Sequence, residues 1–297
     1  MYNEIERNQR MTWIIVIVFI LFLMFLGYFY GLVTDVGYYG IVIGLIVAVP
    51  TTLIGYYNAD KMVLYMAGAR PVAKKDNALL YNLVENLAIA SGMPTPKVYV
   101  IEDTAMNAFA TGRDPAHAAV AVTTGLLQVL SKKELEGVLA HEMSHVKNFD
   151  TRLSTVVVIF VGMVAIAADL FWRMGGGRKR GSRQGVGILA IIGLVFILLS
   201  PLVAKLLQMA MSRNREYLAD SDGALLTRYP EGLALALEKI SSQDHLVDGT
   251  NNAMNHLFII NPLESLDGKK IGSWLGNLFS THPPTAERIK RLREMII

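Results

Sequence analysis

Leu135-Glu-Gly-Val-Leu-Ala-His-Glu-Met-Ser-His-Val-Lys-Asn-Phe-Asp150 decides how this 297-residue chain is read. Just before it, Ser131-Lys-Lys-Glu134 has the spacing of a capping box, and Leu135, Val138, Leu139 and Val146 recur with helical period. The stretch is expected to be an amphipathic helix. On it His141 and His145, four residues apart, share a face and can each aim an imidazole at one metal ion. Glu142 stands beside the first histidine, where its carboxylate reaches a water on that ion without ligating it. Two histidine ligands and a glutamate that takes the water's proton form the arrangement of a zinc hydrolase. The bland alternative is two surface histidines on an ordinary helix, so the rest of the chain must supply the context.

The composition narrows the field. The chain is 53% hydrophobic and only 18% charged, more apolar than a usual soluble domain. It has no cysteine, which excludes disulfides, a thiol nucleophile and any thiolate metal site, so ligands must be His, Asp or Glu. A net charge of +3 without an aromatic-basic stripe gives no sign of nucleic acid. Basic residues beside apolar spans point instead to membrane orientation.

Outward from the motif, the N-terminal side begins with two apolar runs, Thr12–Leu32 and about Gly37–Tyr57, separated by a short turn at Thr34-Asp35. The first is long enough to cross a hydrocarbon core of roughly 30 Å. It is too long for a secretory signal and has no small-residue cleavage site after it, so it reads as an anchor. Lys61, Arg70, Lys74 and Lys75 follow the hairpin while its turn has no cation, which puts both ends in the cytoplasm. Asp76–Ser91 has helical period and stops at Gly92-Met-Pro-Thr-Pro96. Lys97–Ile101, Ala105–Ala110 and Ala118–Thr123 read as short strands, followed by a short helix around Leu126–Leu130.

On the C-terminal side, Leu153–Trp172 and Gly185–Leu207 are apolar and read as a second hairpin. The loop between them carries Arg173, Arg178, Lys179, Arg180 and Arg183. Those cations conflict with an outward crossing, so either the hairpin does not span fully or its loop snorkels or binds anionic headgroups. Further helices are expected from Lys205 through Asp220, over Tyr229–Ser242 and over Pro284–Met295. The chain is thus divided into a membrane hairpin (1–58), a first domain part with the motif helix (59–152), a second hydrophobic hairpin (153–207) and a second domain part (208–297). The expected class is α+β, mostly helical, with a small β-sheet and about four transmembrane helices.

A catalytic zinc usually has three protein ligands. Glu216 is the best candidate for the third, with Asp220 four residues later on the same helical face and placed to accept the outer N–H of a ligand histidine. The bland reading makes Arg213, Arg215, Glu216 and Asp220 an exposed charged face.

His141-Glu-Met-Ser-His145, Asn148-x-Asp150, the hydrophobic hairpin, Ser212-Arg-Asn-Arg-Glu-Tyr-Leu-Ala-Asp220 and Ser280-Thr-His-Pro-Pro284 together resemble the membrane-bound, heat-shock-associated HtpX metallopeptidases, relatives of the Ste24 CaaX proteases. The resemblance spans essentially the whole chain. It implies one Zn2+ per chain held by His141, His145 and Glu216, with Glu142 as general base and acid. It also implies a gluzincin-like domain on the cytoplasmic side of the cell membrane, acting on polypeptides, membrane proteins among them, in quality control. Arg213, Tyr217 and His282 are candidate donors to a transition-state oxyanion. Asn107, Ala108, Phe109 and Ala110 resemble the family's active-site edge strand, on which an extended substrate would lie; the bland reading is a buried strand with Phe109 in the core. Oligomeric state is not indicated.

Two other readings compete. Asn261-Pro-Leu-Glu-Ser-Leu-Asp-Gly268 looks like the second signature of site-2 intramembrane metalloproteases, with Asp267 as ligand. The charges around it and along the motif helix argue against bare burial in lipid. A non-catalytic membrane scaffold with a structural zinc would more often close the site with a fourth ligand.

Overall fold

The computed structural model describes residues 2–33, 36–175, 213–242, 259 and 283–295. Helices α1 (Tyr2–Val33) and α2 (Tyr39–Met66) form an antiparallel hairpin. Each carries a G-x-x-x-G, Gly27/Gly31 on α1 and Gly40/Gly44 on α2, and the two motifs face one another. A Cβ on Gly27 would lie 2.4 Å from the Gly40 carbonyl oxygen, and one on Gly40 would lie 2.2 Å from that of Gly27. Only glycine permits such backbone approach, the usual device of helix pairing in lipid. Two helical segments, Ile5–Tyr28 and Tyr39–Met66, are long and apolar enough to cross a membrane, and most of each faces outward. Trp13, Ile17, Leu21, Phe25, Ile46, Val47 and Ile54 are exposed along them, an apolar belt that water would not tolerate cheaply. Helix α2 runs past residue 58 to Met66, since nothing after Tyr57 breaks its helical pattern.

Helix α6 (Asp150–Gly175) joins the hairpin as a third member and covers the apolar run that begins at Leu153. Phe19 stacks on Phe160 with ring centroids 4.1 Å apart, and Val156–Phe160 are buried. The fourth apolar run, 185–207, and the basic residues 178–183 lie outside the described residues.

Beside these helices, the described residues form a four-stranded sheet of order β1-β2-β4-β3, from β1 (Arg70–Pro71), β2 (Lys97–Ile101), β3 (Ala108–Gly112) and β4 (Ala118–Thr123). β2 and β4 are parallel, while β1 and β3 run antiparallel to their neighbours. Both faces are buried. Val98, Ala108, Ala110, Val120 and Val122 point into the main core with α3 (Ala78–Ser91) and α5 (Lys132–Lys147). Ile101, Phe109, Ala119 and Ala121 point into the core shared with α1, α2 and α6. This two-sided burial explains why the strands read as continuous apolar runs rather than as an alternation. β3 starts at Ala108 rather than Ala105; the Ala105 and Asn107 N–H groups donate to the Asp103 and Thr123 side-chain oxygens instead of to a neighbouring backbone. The two-residue β1 carries no sequence signal.

The motif helix is α5 and its capping box is formed, with the Ser131 N–H donating to Glu134 Oε2 at 2.7 Å. The short helix before it is α4 (Thr124–Val129). Helices α7 (Arg213–Thr227) and α8 (Pro230–Ser241) pack on α5, and α9 (Thr285–Glu294) packs on α8 and α7.

Candidate metal centre

The chemistry is assembled where α5 and α7 cross. His141 and Glu142 are almost fully buried on α5, and Glu216 and Asp220 are buried on the facing side of α7. Gly223, two turns beyond Glu216 on that face, sits against the α5 backbone. A Cβ there would lie 3.0 Å from His141 N and 3.2 Å from its Cα. The glycine sets how close α7 comes, and therefore whether Glu216 reaches the histidines.

It does reach them. His141 Nε2 and His145 Nε2 are 3.2 Å apart, with Glu216 Oε2 3.8 Å from the first and Oε1 3.5 Å from the second. One ligand atom from each residue lies within 4.8 Å of the others. The outer nitrogens are committed to carboxylates: His141 Nδ1 to Asp220 Oδ1 at 2.9 Å and His145 Nδ1 to Asp150 Oδ2 at 3.0 Å. With Nδ1 as the N–H donor in each, both Nε2 atoms turn lone pairs toward the same point, where one metal ion could take both; the Arg288 guanidinium reaches to 3.4 Å of His141 Nε2. A tetrahedral ion with Zn–N bonds of about 2.0–2.1 Å sets ligand nitrogens about 3.3 Å apart, so the donor set fits zinc.

The electrostatics agree. Burial holds His141 below its ordinary value. Burial also works against His145, but Asp150, Glu216 and Glu142 outweigh it and bring that residue up to about 9, a proton taking the cation's place. Burial would raise Asp220, yet the Arg288 guanidinium and His141 pull it down to about 2. Arg288, on α9 and fully buried, grips Asp220 through Nε at 2.8 Å and Nη2 at 2.7 Å, and its Nη1 lies 3.7 Å from Glu216 Oε2. Asp150 accepts from Asn8 Nδ2 at 2.6 Å and lies 3.5 Å from Arg215 Nη1.

Glu142 faces the sheet. Its Oε2 accepts from Ala110 N at 2.9 Å, and burial, reinforced by the nearby Glu216 charge, pushes its carboxyl up to about 8. Among the described residues β3 is the last strand of the sheet, so Asn107–Ala110 lead into and along its edge. Phe109 is fully buried in the core, as the bland reading had it. The outward backbone groups already have partners, since Ala108 O accepts from Ile259 N at 3.1 Å while Ala110 N is bound to Glu142.

The sequence pattern of Peptidase family M48 matches residues 74–296, which spans α3 to α9 and every one of these groups except Asn8. The chain belongs to peptidase family M48. Its relatives include the Protease HtpX homolog of Dictyoglomus thermophilum, 44% identical over 99% of this chain and 94% of that protein. The Protease HtpX homolog of Tropheryma whipplei (strain Twist) is also 44% identical, over 99% and 98%. That of Thermoanaerobacter pseudethanolicus is 42% identical over the same shares. These matches put the chain among the HtpX homologues, as the motif resemblance implied. The crystal structure of S. mikatae Ste24p has a TM-score of 0.49 and 18% identity, covering 91% of this chain and 61% of that longer one, a general resemblance only.

The M48 chain brings His141, Glu142, His145, Glu216 and Asp220 together. Arg215, Glu216 and Asp220 are buried, which removes the reading of α7 as an exposed charged face. Of the four charged residues of that reading Arg213 alone is exposed, and the Tyr217 ring lies beneath the Arg291 guanidinium, 3.8 Å away. Among the described residues no contact carries either to the histidine pair. His282 and Asp267 lie outside the described residues. Sequence reasoning gave no role to Asp150, Arg288 or Asn8. Asp150 follows Phe149, whose φ of 59° breaks the helical spacing from His145, and the other two come from distant helices.

Proposed function

We propose that this M48 metallopeptidase is a zinc endopeptidase, with one ion held by His141, His145 and Glu216. The observation that carries the reading is the convergence of ligand atoms from the buried His141 and Glu216 and the half-buried His145 beside a buried Glu142. When bound, zinc would polarise the scissile carbonyl and acidify the attacking water. Glu142 takes that water's proton and delivers it to the leaving amine, a role suited to a carboxyl raised toward neutrality. Asp220 and Asp150 hold the two imidazoles in the tautomer that leaves Nε2 free for metal. Arg213 and Tyr217 have no part in this reading.

An extended polypeptide would lie along β3, hydrogen-bonding its backbone to the outer edge at Ala108 and Ala110. The bond from Ile259 N to Ala108 O supports this, because it is the kind of backbone contact such a substrate makes. A peptide occupying the whole strand takes Ile259's place.

The chain is read as a multi-pass protein of the cell membrane, with 1–58 and 153–207 as hydrophobic hairpins in about four spans and the peptidase portion, 59–152 and 208–297, in the cytoplasm. Asn8 at the start of α1 and Asp150 at the start of α6 meet at the metal centre, so the site lies at the same end of the bundle as Arg7, Arg10 and Lys61. The substrates proposed are misfolded or damaged membrane proteins, in a quality-control or stress role. Glu216 lies beside both histidines, which supports it over Asp267 as the third ligand.

The test is degradation of an unfolded membrane-protein substrate by the purified, zinc-loaded chain beside Glu142→Gln. The expected result is cleavage by the former and none by the latter, with zinc content equal. Equal cleavage by both would remove Glu142 as the base.

A further inference from the structure

We propose that Asn8, at the membrane-anchoring end of α1, is a positioning residue for the metal ligand His145. The inference rests on the metal reading above but concerns a residue outside the 74–296 stretch that carries the family pattern. Asn8 is 1% exposed and is separated by about 140 residues from the groups it binds. Its Nδ2 donates to Asp150 Oδ1 at 2.6 Å and to the Asn148 carbonyl at 3.0 Å. The other Asp150 oxygen holds His145 Nδ1 at 3.0 Å. On its other side, Asn8 Oδ1 accepts from Arg215 Nη1 at 3.4 Å, and Arg215 directly precedes Glu216.

One amide therefore ties together the turn after α5 and the start of α7, the two places from which the ligands are aimed. The turn needs such a clamp. Phe149 lies between the two residues that Asn8 grips, and its left-handed φ of 59° is costly for a bulky side chain and persists only where the surroundings enforce it. A side chain without a donor leaves Asp150 Oδ1 with Arg215 alone among its described partners, at 3.5 Å. Asp150 can then swing, and His145 Nε2 with it. The anchor helix thus completes the peptidase site as well as holding it at the membrane.

The experiment uses the full-length, metal-free protein in detergent, titrated with Co2+ in competition with a chelator, with the cobalt visible spectrum and the metal-free melting temperature as further readouts. Asn8→Leu keeps the volume and removes both hydrogen-bonding functions. Asn8→Ala removes them without adding bulk. Thr12→Val, one turn along the same buried face, deletes only a bond to the Asn8 carbonyl and serves as control. Both Asn8 variants are expected to bind cobalt about tenfold more weakly, with an altered spectrum, as for other groups that orient ligands. Their metal-free melting should stay close to that of Thr12→Val, which keeps wild-type affinity.

A folded Asn8 variant with wild-type affinity and spectrum overturns the proposal. So does equal weakening in Thr12→Val, or collapse of the metal-free fold in both Asn8 variants, since each makes the role structural. Failure of the wild type to bind cobalt would instead overturn the metal reading.

Discussion

A Cβ on Gly223 would stand 3.0 Å from the backbone nitrogen of His141, closer than two packed helices ordinarily allow. Gly223→Ala should push α7 away from α5 and carry Glu216 off the histidine pair. Overpacking of this kind costs about 1–3 kcal/mol. The expected outcome is lower thermal stability together with weakened metal binding, and Gly223→Val should lose the metal altogether. Metal content after dialysis against a weak chelator reads this directly. Unchanged content in Gly223→Val would mean the helices have room to spare.

Arg288 and Asp220 are both buried, and each is the other's main partner. Breaking such a pair from one side leaves an uncompensated charge, a loss of about 3–5 kcal/mol. Arg288→Met should therefore be strongly destabilising, while adding Asp220→Asn should restore part of the stability without restoring metal affinity, because His141 loses its carboxylate partner. A double-mutant cycle on chemical denaturation separates the two effects.

Glu134 links the capping box of α5 to Lys239 on α8. Burial would raise its carboxyl, but the Lys239 ammonium and the Ser131 hydrogen bonds win and hold it below its ordinary value of 4.5. Because the folded value is the lower one, its contribution is complete above 4.5, fades as the pH falls through the folded value, and is absent in stronger acid. Glu134→Gln should be less stable than the wild type near neutrality, by about 1 kcal/mol for a weakened cap, and the gap should close on acidification. Melting temperatures from pH 7 down to about 3 would show it, and a gap that stays constant would refute the assignment.

Gly40 admits no side chain against α1, where a Cβ would lie 2.2 Å from the Gly27 carbonyl oxygen. Gly40→Leu should splay the hairpin and lower the apparent melting temperature by on the order of 5 °C. Since α1 carries Asn8, metal affinity should fall as well.

Much of this was legible in the chain because it depends on local periodicity. The i, i+4 spacing of His141 and His145, the capping box at Ser131 and Glu134, and the shared face of Glu216 and Asp220 are properties of a single helix, and 3.6 residues per turn dictates them wherever that helix sits. The apolar lengths of α1 and α2 likewise announce membrane helices without a tertiary partner. The sequence could not reveal what closes the site. Asn8 and Arg288 reach it from helices more than a hundred residues away in the chain, and no repeat or spacing links residues that far apart; Asp150, only five residues from His145, is aimed by the turn at Phe149 that helical spacing does not foresee. The two-sided burial of the sheet, the glycine contact that brings α7 onto α5, and the turn of α5 into α6 at Phe149 all arise from packing between distant elements. Local propensity set the ligands' faces, and only tertiary packing decided which faces would meet and which side chains would hold them there.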